Sequence, residues 1–163
     1  MASTDALSRA KTKSALALAG FLLISYSVAV IGATFTPGAW YAGLIKPSWN
    51  PPSWLFGPVW TLLYGMIAVA AWRVWRVKDS QLALCMWALQ LLPNALWSYL
   101  FFGAHRMDYA LVDITFLLVG IVATMGLFAQ RDRIAALRML PYLAWVSFAT
   151  LLNWTLLRLN WQM

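Results

Sequence analysis

Apolar residues fill five long stretches of the chain, and polar residues are concentrated in the segments between them. Each stretch is close to the ~20 apolar residues that an α-helix needs to cross a hydrocarbon core of roughly 30 Å. The pattern predicts an all-α membrane protein with five transmembrane helices in a bundle, over residues 14–35, 55–74, 81–102, 109–129 and 137–157. We expect residues 1–163 to form a single domain.

The segments that connect the predicted helices differ in length. The last three are short, which places consecutive helices antiparallel and adjacent. The first, residues 36–54, is long and rich in proline and tryptophan. Because proline breaks helices, and non-helical backbone at membrane depth must be buried or face a cavity, we expect this loop to be a stiff lid with an apolar underside. A rigid interfacial loop without a gating role is the alternative.

Composition and charge support a membrane location. Hydrophobic residues make up 63% of the chain and charged residues 10%, whereas a soluble domain has about 25% charged residues. The net charge of +7 falls in small basic clusters between apolar stretches, which favours lipid headgroups over nucleic acid. Nine Lys and Arg residues lie on one side of the predicted bundle and three on the other. This asymmetry predicts a cytoplasmic N-terminus in a bacterial inner membrane.

Three polar residues lie on one face of the third predicted helix. Gln90, Asn94 and Ser98 follow each other at four-residue spacing, and Trp97 flanks them. Buried polar side chains in a membrane often join helices by hydrogen bonds. A ligand pocket also needs a few fixed polar groups within an apolar lining. Both interpretations fit the spacing.

Aromatic residues of two other helices are also expected inside the bundle. Tryptophan and tyrosine near helix ends usually anchor a protein at the membrane interface. Trp60, followed by Tyr64, and Trp145, followed by Ala149, instead lie several residues inside their predicted helices. Indole faces stack on flat apolar ligands, and nearby amides supply hydrogen bonds, so the pattern predicts an internal ligand pocket. We find no metal-site pattern, no nucleophile with its base and no phosphate loop, and expect no cofactor requirement. Asp113, near the start of the fourth helix, is expected to be hydrated.

Three segments carry a resemblance to a known family: "WYAGLIKPSWNPPSWLFGPVWTLLYGM", "NALWSYLFF" and "LPYLAWVSFATLLNWTLLRLN". They resemble landmarks of the TspO/MBR family, which comprises the tryptophan-rich sensory proteins and the translocator protein, or peripheral benzodiazepine receptor. The resemblance extends from about residue 20 to the end of the chain. By these motifs the chain is similar to the bacterial members.

The resemblance implies a five-helix membrane protein, often a homodimer, in contact with membrane lipid. It implies a receptor or sensor for tetrapyrroles, protoporphyrin IX and haem, and for other flat hydrophobic small molecules, with porphyrin or haem as ligand. The motif matches place the ligand site at Tyr41, Trp60, Asn94 and Trp145, with Pro47, Trp49, Asn50 and Ala149 as neighbours. Lys46 is then expected to meet a porphyrin carboxylate at the rim.

The resemblance leaves other functions open. Tryptophans that match Trp60 and Trp145 are implicated in porphyrin breakdown in some bacterial relatives, so a light- and oxygen-dependent porphyrin-degrading enzyme is one alternative. A porphyrin or lipid transporter is another. The sterol motif of animal members requires tyrosine where this chain has Trp154. That departure counts against sterol binding.

Overall fold

The computed structural model describes residues 2–161, which form α-helices and contain no β-strand. A 3-10 turn over Ser53–Leu55 precedes the third helix, and a π-helical turn over Tyr99–Gly103 follows the fourth. The α-helices in the described residues are α1 Ala2–Ala33, α2 Ala39–Gly43, α3 Phe56–Trp75, α4 Gln81–Ser98, α5 Met107–Ala129, α6 Arg133–Arg138 and α7 Leu140–Leu159.

The five predicted helices correspond to α1, α3, α4, α5 and α7. For the last four, the observed and predicted ends agree to within four residues. The largest difference is in α1, which begins at Ala2 rather than near residue 14. The residues before the apolar stretch include several alanines and lysines, which have high helix propensity, and so they extend the helix.

Within residues 2–161, four helical segments are long and apolar enough to cross a membrane: Leu7–Ala33, Ser53–Trp75, Met107–Ala129 and Arg133–Leu159. α4 is helical as predicted but is not among these four. It carries Gln90, Pro93 and Asn94 within its 18 residues, and these lower its apolar content. A multi-pass membrane protein is therefore supported, and α4 as a fifth span remains a prediction.

The long helices pack side by side around a core of aliphatic and aromatic residues. α1 packs on α3 and α4, α4 packs along α5, and α5 packs on α7. Ala70 and Ala71 of α3 are fully buried in this core, together with Ile67 and Val74. Small side chains at such positions let helix backbones approach closely. The pairings place all five long helices around one interior.

Asp132 joins two parts of the bundle at the end where α5 and α6 meet. Its Oδ1 accepts hydrogen bonds from the amides of Ile134 and Ala135, at 2.9 and 3.1 Å, and so caps α6. Its Oδ2 lies 2.9 Å from Nη2 of Arg73 on α3. Burial raises the pKa of Asp132, but the hydrogen bonds from Ala135 and Arg73 outweigh it, and the pKa lies below its ordinary value. The carboxylate form therefore holds α6 against α3.

The first connection, residues 34–55, contains α2 and is anchored on the bundle by its own apolar residues. Tyr41 and Leu44 are buried in a second apolar cluster with Phe101 and Leu156, among others. The hydroxyl of Tyr41 donates to Oδ1 of Asn50, at 3.0 Å, across the connection. The proline-rich segment is thus braced from within and packed against α5 and α7.

Asn160, just beyond α7, holds the first connection by its side chain. Its Oδ1 accepts from the amide of Ile45 at 2.9 Å, and its Nδ2 donates to the carbonyl of Ile45 at 3.0 Å. Nδ2 also donates to the carbonyl of Leu156 at 2.8 Å. Only 4% of Asn160 is exposed, so these bonds are shielded from water.

We expect Asn160→Ala to loosen the first connection. Loss of buried hydrogen bonds to Ile45 costs ~1–3 kcal/mol, so amide exchange at Ile45 and its neighbours should quicken by about tenfold or more. Hydrogen exchange read by mass spectrometry measures this effect. Asn160→Asp keeps the acceptor for the Ile45 amide but sets an oxygen against the carbonyls of Ile45 and Leu156, so it should also quicken exchange there. Unchanged exchange around Ile45 in Asn160→Ala would contradict the anchoring role.

Candidate functional site

A cavity of about 440 Å³ lies between the helices and is lined by residues of α1, α3, α4, α5 and α7. Small-molecule sites typically occupy ~300–1,000 Å³. Its lining is mostly apolar, with the polar side chains of Tyr64 and Asn94 on one wall. The cavity therefore has the size and the lining of a site for a hydrophobic small molecule.

Aromatic rings form most of the wall, and they hold one another in place. Trp60 lies against Tyr64 with ring centroids 5.4 Å apart. Trp145 is met edge-on by Phe56, at 5.9 Å, and Trp97 is met edge-on by a further lining residue, Phe102. Because such edge and offset contacts are favourable, the three indoles are held by their neighbours rather than by a ligand.

A chain of hydrogen bonds leads away from the cavity into the core between α4 and α7. The hydroxyl of Tyr64 donates to Oδ1 of Asn94 at 2.5 Å, and Nδ2 of Asn94 donates to the hydroxyl oxygen of Tyr142 at 2.6 Å. The Tyr142 hydroxyl then donates to Oε1 of Gln90 at 2.7 Å. Gln90 and Tyr142 join helices, whereas Asn94 both joins helices and lines the cavity. The helix-joining interpretation is therefore seen at Gln90 and Asn94, and contact of Asn94 with a ligand stays a prediction.

Trp97 is positioned by a second amide. Its indole N–H donates to Oδ1 of Asn153 on α7 at 3.0 Å, and Nδ2 of Asn153 donates to the carbonyl of Met107 at 2.9 Å. Asn153 is 1% exposed and does not line the cavity. It therefore fixes the tilt of an indole that does.

The mouth of the cavity lies between the end of α1 and the start of α3. The exposed lining residues are found there: Val30, Ala33, Thr36, Pro37, Ser53, Gly57 and Thr61. On the α1 side Gly32 passes close to Ser98 of α4, since a Cβ at this glycine would lie 3.2 Å from the Ser98 hydroxyl oxygen. The hydroxyl of Tyr26 donates to the carbonyl of Thr61 at 3.0 Å and ties α1 to α3 beside the opening.

Six of the ten residues predicted for the site line the cavity, and all six belong to α3, α4 or α7. Trp60, Tyr64, Asn94, Trp97, Trp145 and Ala149 come together there. Whether these side chains bind a ligand stays a prediction.

The four predicted residues of the first connection do not line the cavity. Tyr41 is 4% exposed and meets Phe102 edge-on at 5.4 Å. Trp49 meets Phe148 of α7 at 5.8 Å. Pro47 and Asn50 are partly buried within the connection. The first connection therefore lines the cavity only near its two ends, at Phe35, Thr36, Pro37 and Ser53, and Tyr41 packs behind the lining residue Phe102.

Lys46, predicted to meet a porphyrin carboxylate, is folded back on its own segment. Its Nζ donates to the carbonyls of Ala42 and Leu44, at 3.0 and 3.2 Å, and lies 4.8 Å from the centre of the Tyr41 ring. A ligand carboxylate would have to replace these contacts. The structure thus places Lys46 away from the lining residues.

Other sequence-based expectations need correction or addition. Asp113, expected to be hydrated, is 9% exposed, and its Oδ2 has no partner among the described residues. Burial against neighbouring helices overrides its position near the start of α5. Tyr142 was not foreseen at all, although it lies at helical spacing before Trp145 and Ala149, on the face that the sequence marks as internal.

Comparison with known proteins agrees with the motifs. The TspO/MBR family description matches residues 19–159. The chain is 44% identical to tryptophan-rich protein TspO of Chlorobaculum tepidum over 91% of this chain and 98% of that protein. It is 43% identical to the tryptophan-rich sensory protein of Cereibacter sphaeroides over 87% of this chain and 90% of that protein. It is 38% identical to the human translocator protein over 86% of this chain and 88% of that protein. With a family match over most of its length and relatives of this similarity, the chain belongs to the TspO/MBR family.

Proposed function

We propose that this protein is a membrane receptor or sensor that binds tetrapyrroles, such as protoporphyrin IX and haem, inside its helix bundle. The observation that carries the proposal is the cavity of about 440 Å³ walled by Trp60, Trp97 and Trp145. A porphyrin is flat, aromatic and largely apolar. Indole rings that are already held in place can stack on it without losing further side-chain freedom.

The position of the mouth supports the same ligand class. The cavity opens beside the first connection, where the chain leaves α1 and enters α3. A tetrapyrrole that enters there can place its ring among the indoles and leave its carboxylates toward the end of the bundle. Charged groups would then stay near water, where their desolvation cost is small.

The proposal includes five membrane-spanning helices, with α4 as the fifth. α4 is flanked by α1 and α5, so its polar face, with Gln90 and Asn94, is turned away from lipid. A helix with such shielding can span a membrane despite a lower apolar content. We also propose a cytoplasmic N-terminus, from the distribution of Lys and Arg, and a homodimer.

A second candidate function is light- and oxygen-dependent breakdown of the bound porphyrin. The observation that favours it is that Trp60 and Trp145, two oxidisable indoles, line the same cavity. They would contact a porphyrin there directly. The receptor and the enzyme use the same site and differ in whether the indoles react.

Titration with protoporphyrin IX tests the proposed binding. We expect saturable quenching of the intrinsic tryptophan fluorescence at one porphyrin per chain, because a ligand in the cavity lies against three indoles. N-acetyltryptophanamide in the same detergent controls for absorption of light by the porphyrin. Quenching that rises without saturation, and equally in this control, would contradict binding in the cavity.

A further inference from the structure

A hollow of about 450 Å³ lies at the turn between α3 and α4, at the opposite end of α3 from the mouth of the cavity. We call it the α3–α4 hollow, and its lining combines apolar, polar and charged residues: Trp75, Val77, Lys78, Asp79, Ser80, Gln81 and Leu84. The apolar segment that contains α3 ends at Trp75. The hollow therefore lies where hydrocarbon meets water, at the depth of lipid headgroups.

The N-terminus of α4 brings free hydrogen-bond donors to this hollow. The amide of Leu84 donates to the carbonyl of Ser80 at 3.0 Å and closes the first turn of the helix. The amides of residues 81–83 precede this bond and have no carbonyl within the helix to bond to. The side chain of Ser80 does not cap them. These N–H groups and the positive end of the helix dipole favour an anion.

Ser80 adds a buried polar side chain to the wall of the same hollow. It is 8% exposed and lines the hollow, yet its hydroxyl forms no cap bond with α4 and no other side-chain bond among the described residues. Serine in this position usually accepts a hydrogen bond from an amide two or three residues later. A buried hydroxyl without a partner costs stability, and an oxygen of a ligand in the hollow would satisfy it.

The charge around the hollow is positive and largely unpaired. Nine Lys and Arg residues lie at this end of the bundle, and among the described residues one of the nine is in an ion pair, Arg73 with Asp132. Lys78 lines the hollow itself. Arg76 lies just before it, with its guanidinium 4.9 Å from the centre of the Trp72 ring. Lys78 and Arg76 are thus available to an anion.

Asp79 is the one acidic residue in the wall, and it limits the charge of the ligand that fits. It is exposed and is in neither of the ion pairs seen in the described residues. Its φ of 55° lies in the left-handed region, which aspartate adopts more readily than most residues, and makes the corner of the turn. With Arg76 and Lys78 positive and Asp79 negative, the turn has a net charge of +1. A phosphodiester, with its single negative charge, matches this value.

We propose that the α3–α4 hollow binds the phosphate of an anionic phospholipid. Lys78 and the amides of residues 81–83 hold the phosphate oxygens, and the Ser80 hydroxyl donates to one of them. The apolar lining residues contact the glycerol and the first carbons of the acyl chains. A zwitterionic lipid offers the same phosphate but adds an ammonium group, which Lys78 and Arg76 repel.

Native mass spectrometry of the full chain tests this preference, because it counts the lipids bound to each protein. The protein in detergent is titrated with dioleoylphosphatidylglycerol or with dioleoylphosphatidylcholine, and the dissociation constant of the first bound lipid is compared. We expect the anionic lipid to bind roughly fivefold more tightly or better, as one lysine at an anionic lipid allows. Lys78→Gln should remove most of this preference, and Asp79→Asn should increase it.

Arg138→Gln is the matched control. It removes the same charge from the same end of the bundle but lies outside the hollow, so the first anionic lipid should bind within about twofold of its original affinity. Ser80→Ala should weaken this lipid without lowering the melting temperature, because the hydroxyl does not cap α4. A purely structural role of Ser80 would lower the melting temperature instead.

Hydrogen exchange in nanodiscs gives a second readout at the donors themselves. The amides of residues 81–83 should exchange roughly threefold more slowly in phosphatidylglycerol than in phosphatidylcholine, because a bound phosphate protects them. Lys78→Gln should abolish this difference, and Arg138→Gln should keep it.

Glycerol 3-phosphate in millimolar excess separates a lipid from a soluble phosphate. We expect it to leave the bound phosphatidylglycerol in place, since it has a second negative charge and no acyl chains. Its displacement of the lipid would overturn the assignment to a lipid. Equal affinity for the two lipids, equal loss in Lys78→Gln and Arg138→Gln, or unchanged exchange at residues 81–83 would overturn the site. The protoporphyrin titration involves other residues, so its result is independent of this one.

Discussion

Trp145→Ala should weaken protoporphyrin IX binding by roughly tenfold to a hundredfold. The substitution removes a stacking face, worth ~0.5–1.5 kcal/mol beyond burial, and exposes apolar surface of the ligand worth about 25 cal/mol per Å². Trp145 lines the cavity and is met there by Phe56 and Phe148, at 5.9 and 5.6 Å. The dissociation constant from fluorescence titration measures the effect.

Trp154 offers a matched control on the same helix. It is 45% exposed, does not line the cavity, and packs on Arg158. Trp154→Ala should leave porphyrin affinity within about twofold of the unmodified protein, since it touches no part of the proposed site. A thermal melt of both variants would show that each is folded. Equal weakening by the two substitutions would mean that the cavity is not the porphyrin site.

The double substitution of Trp60 and Trp145 by phenylalanine should separate binding from chemistry. Phenylalanine keeps an aromatic face, so affinity measured in the dark should fall only a few-fold. It is a much poorer electron donor than indole. If the indoles take part in breakdown, light-driven loss of the porphyrin absorption in air should slow by at least tenfold. Illumination of both proteins in parallel, with the products identified, measures this loss.

Two outcomes would count against porphyrin breakdown by Trp60 and Trp145. Loss in the unmodified protein that is no faster than for free porphyrin in detergent would contradict the enzyme and leave the receptor. Loss that persists unchanged in the double variant would show that the two indoles are not the reacting groups. Trp97→Phe is a useful comparison with the double variant. It removes a third indole from the cavity wall, one whose N–H is bound to Asn153.

The helices and much of the cavity could be predicted from the sequence because both depend on local periodicity. Trp60, Asn94 and Trp145 each lie inside an apolar stretch, where a polar or amphipathic side chain must face a neighbouring helix. In the structure all three side chains line the same cavity. Tyr142 follows the same spacing and could have been found by extending that face by one turn.

Other features depend on contacts that no local pattern records. Asn160 and Ile45 are 115 positions apart, and their pairing follows only from how the first connection folds back on α7. Tyr41 and Trp49 belong to the motif-rich connection but pack behind the cavity wall, against Phe102 and Phe148. Trp87 lies in an apolar stretch, and only the fold shows that it is 2% exposed and packed against Phe21. In each case tertiary packing decides where the side chain lies.

The most direct test of the central claim is a crystal structure of the protein with protoporphyrin IX bound. We expect density for the porphyrin ring between Trp60, Trp97 and Trp145, with an edge near Asn94 and the carboxylates directed to the mouth between α1 and α3. Ring density on the lipid-facing surface or beneath the first connection, with the cavity empty, would contradict it.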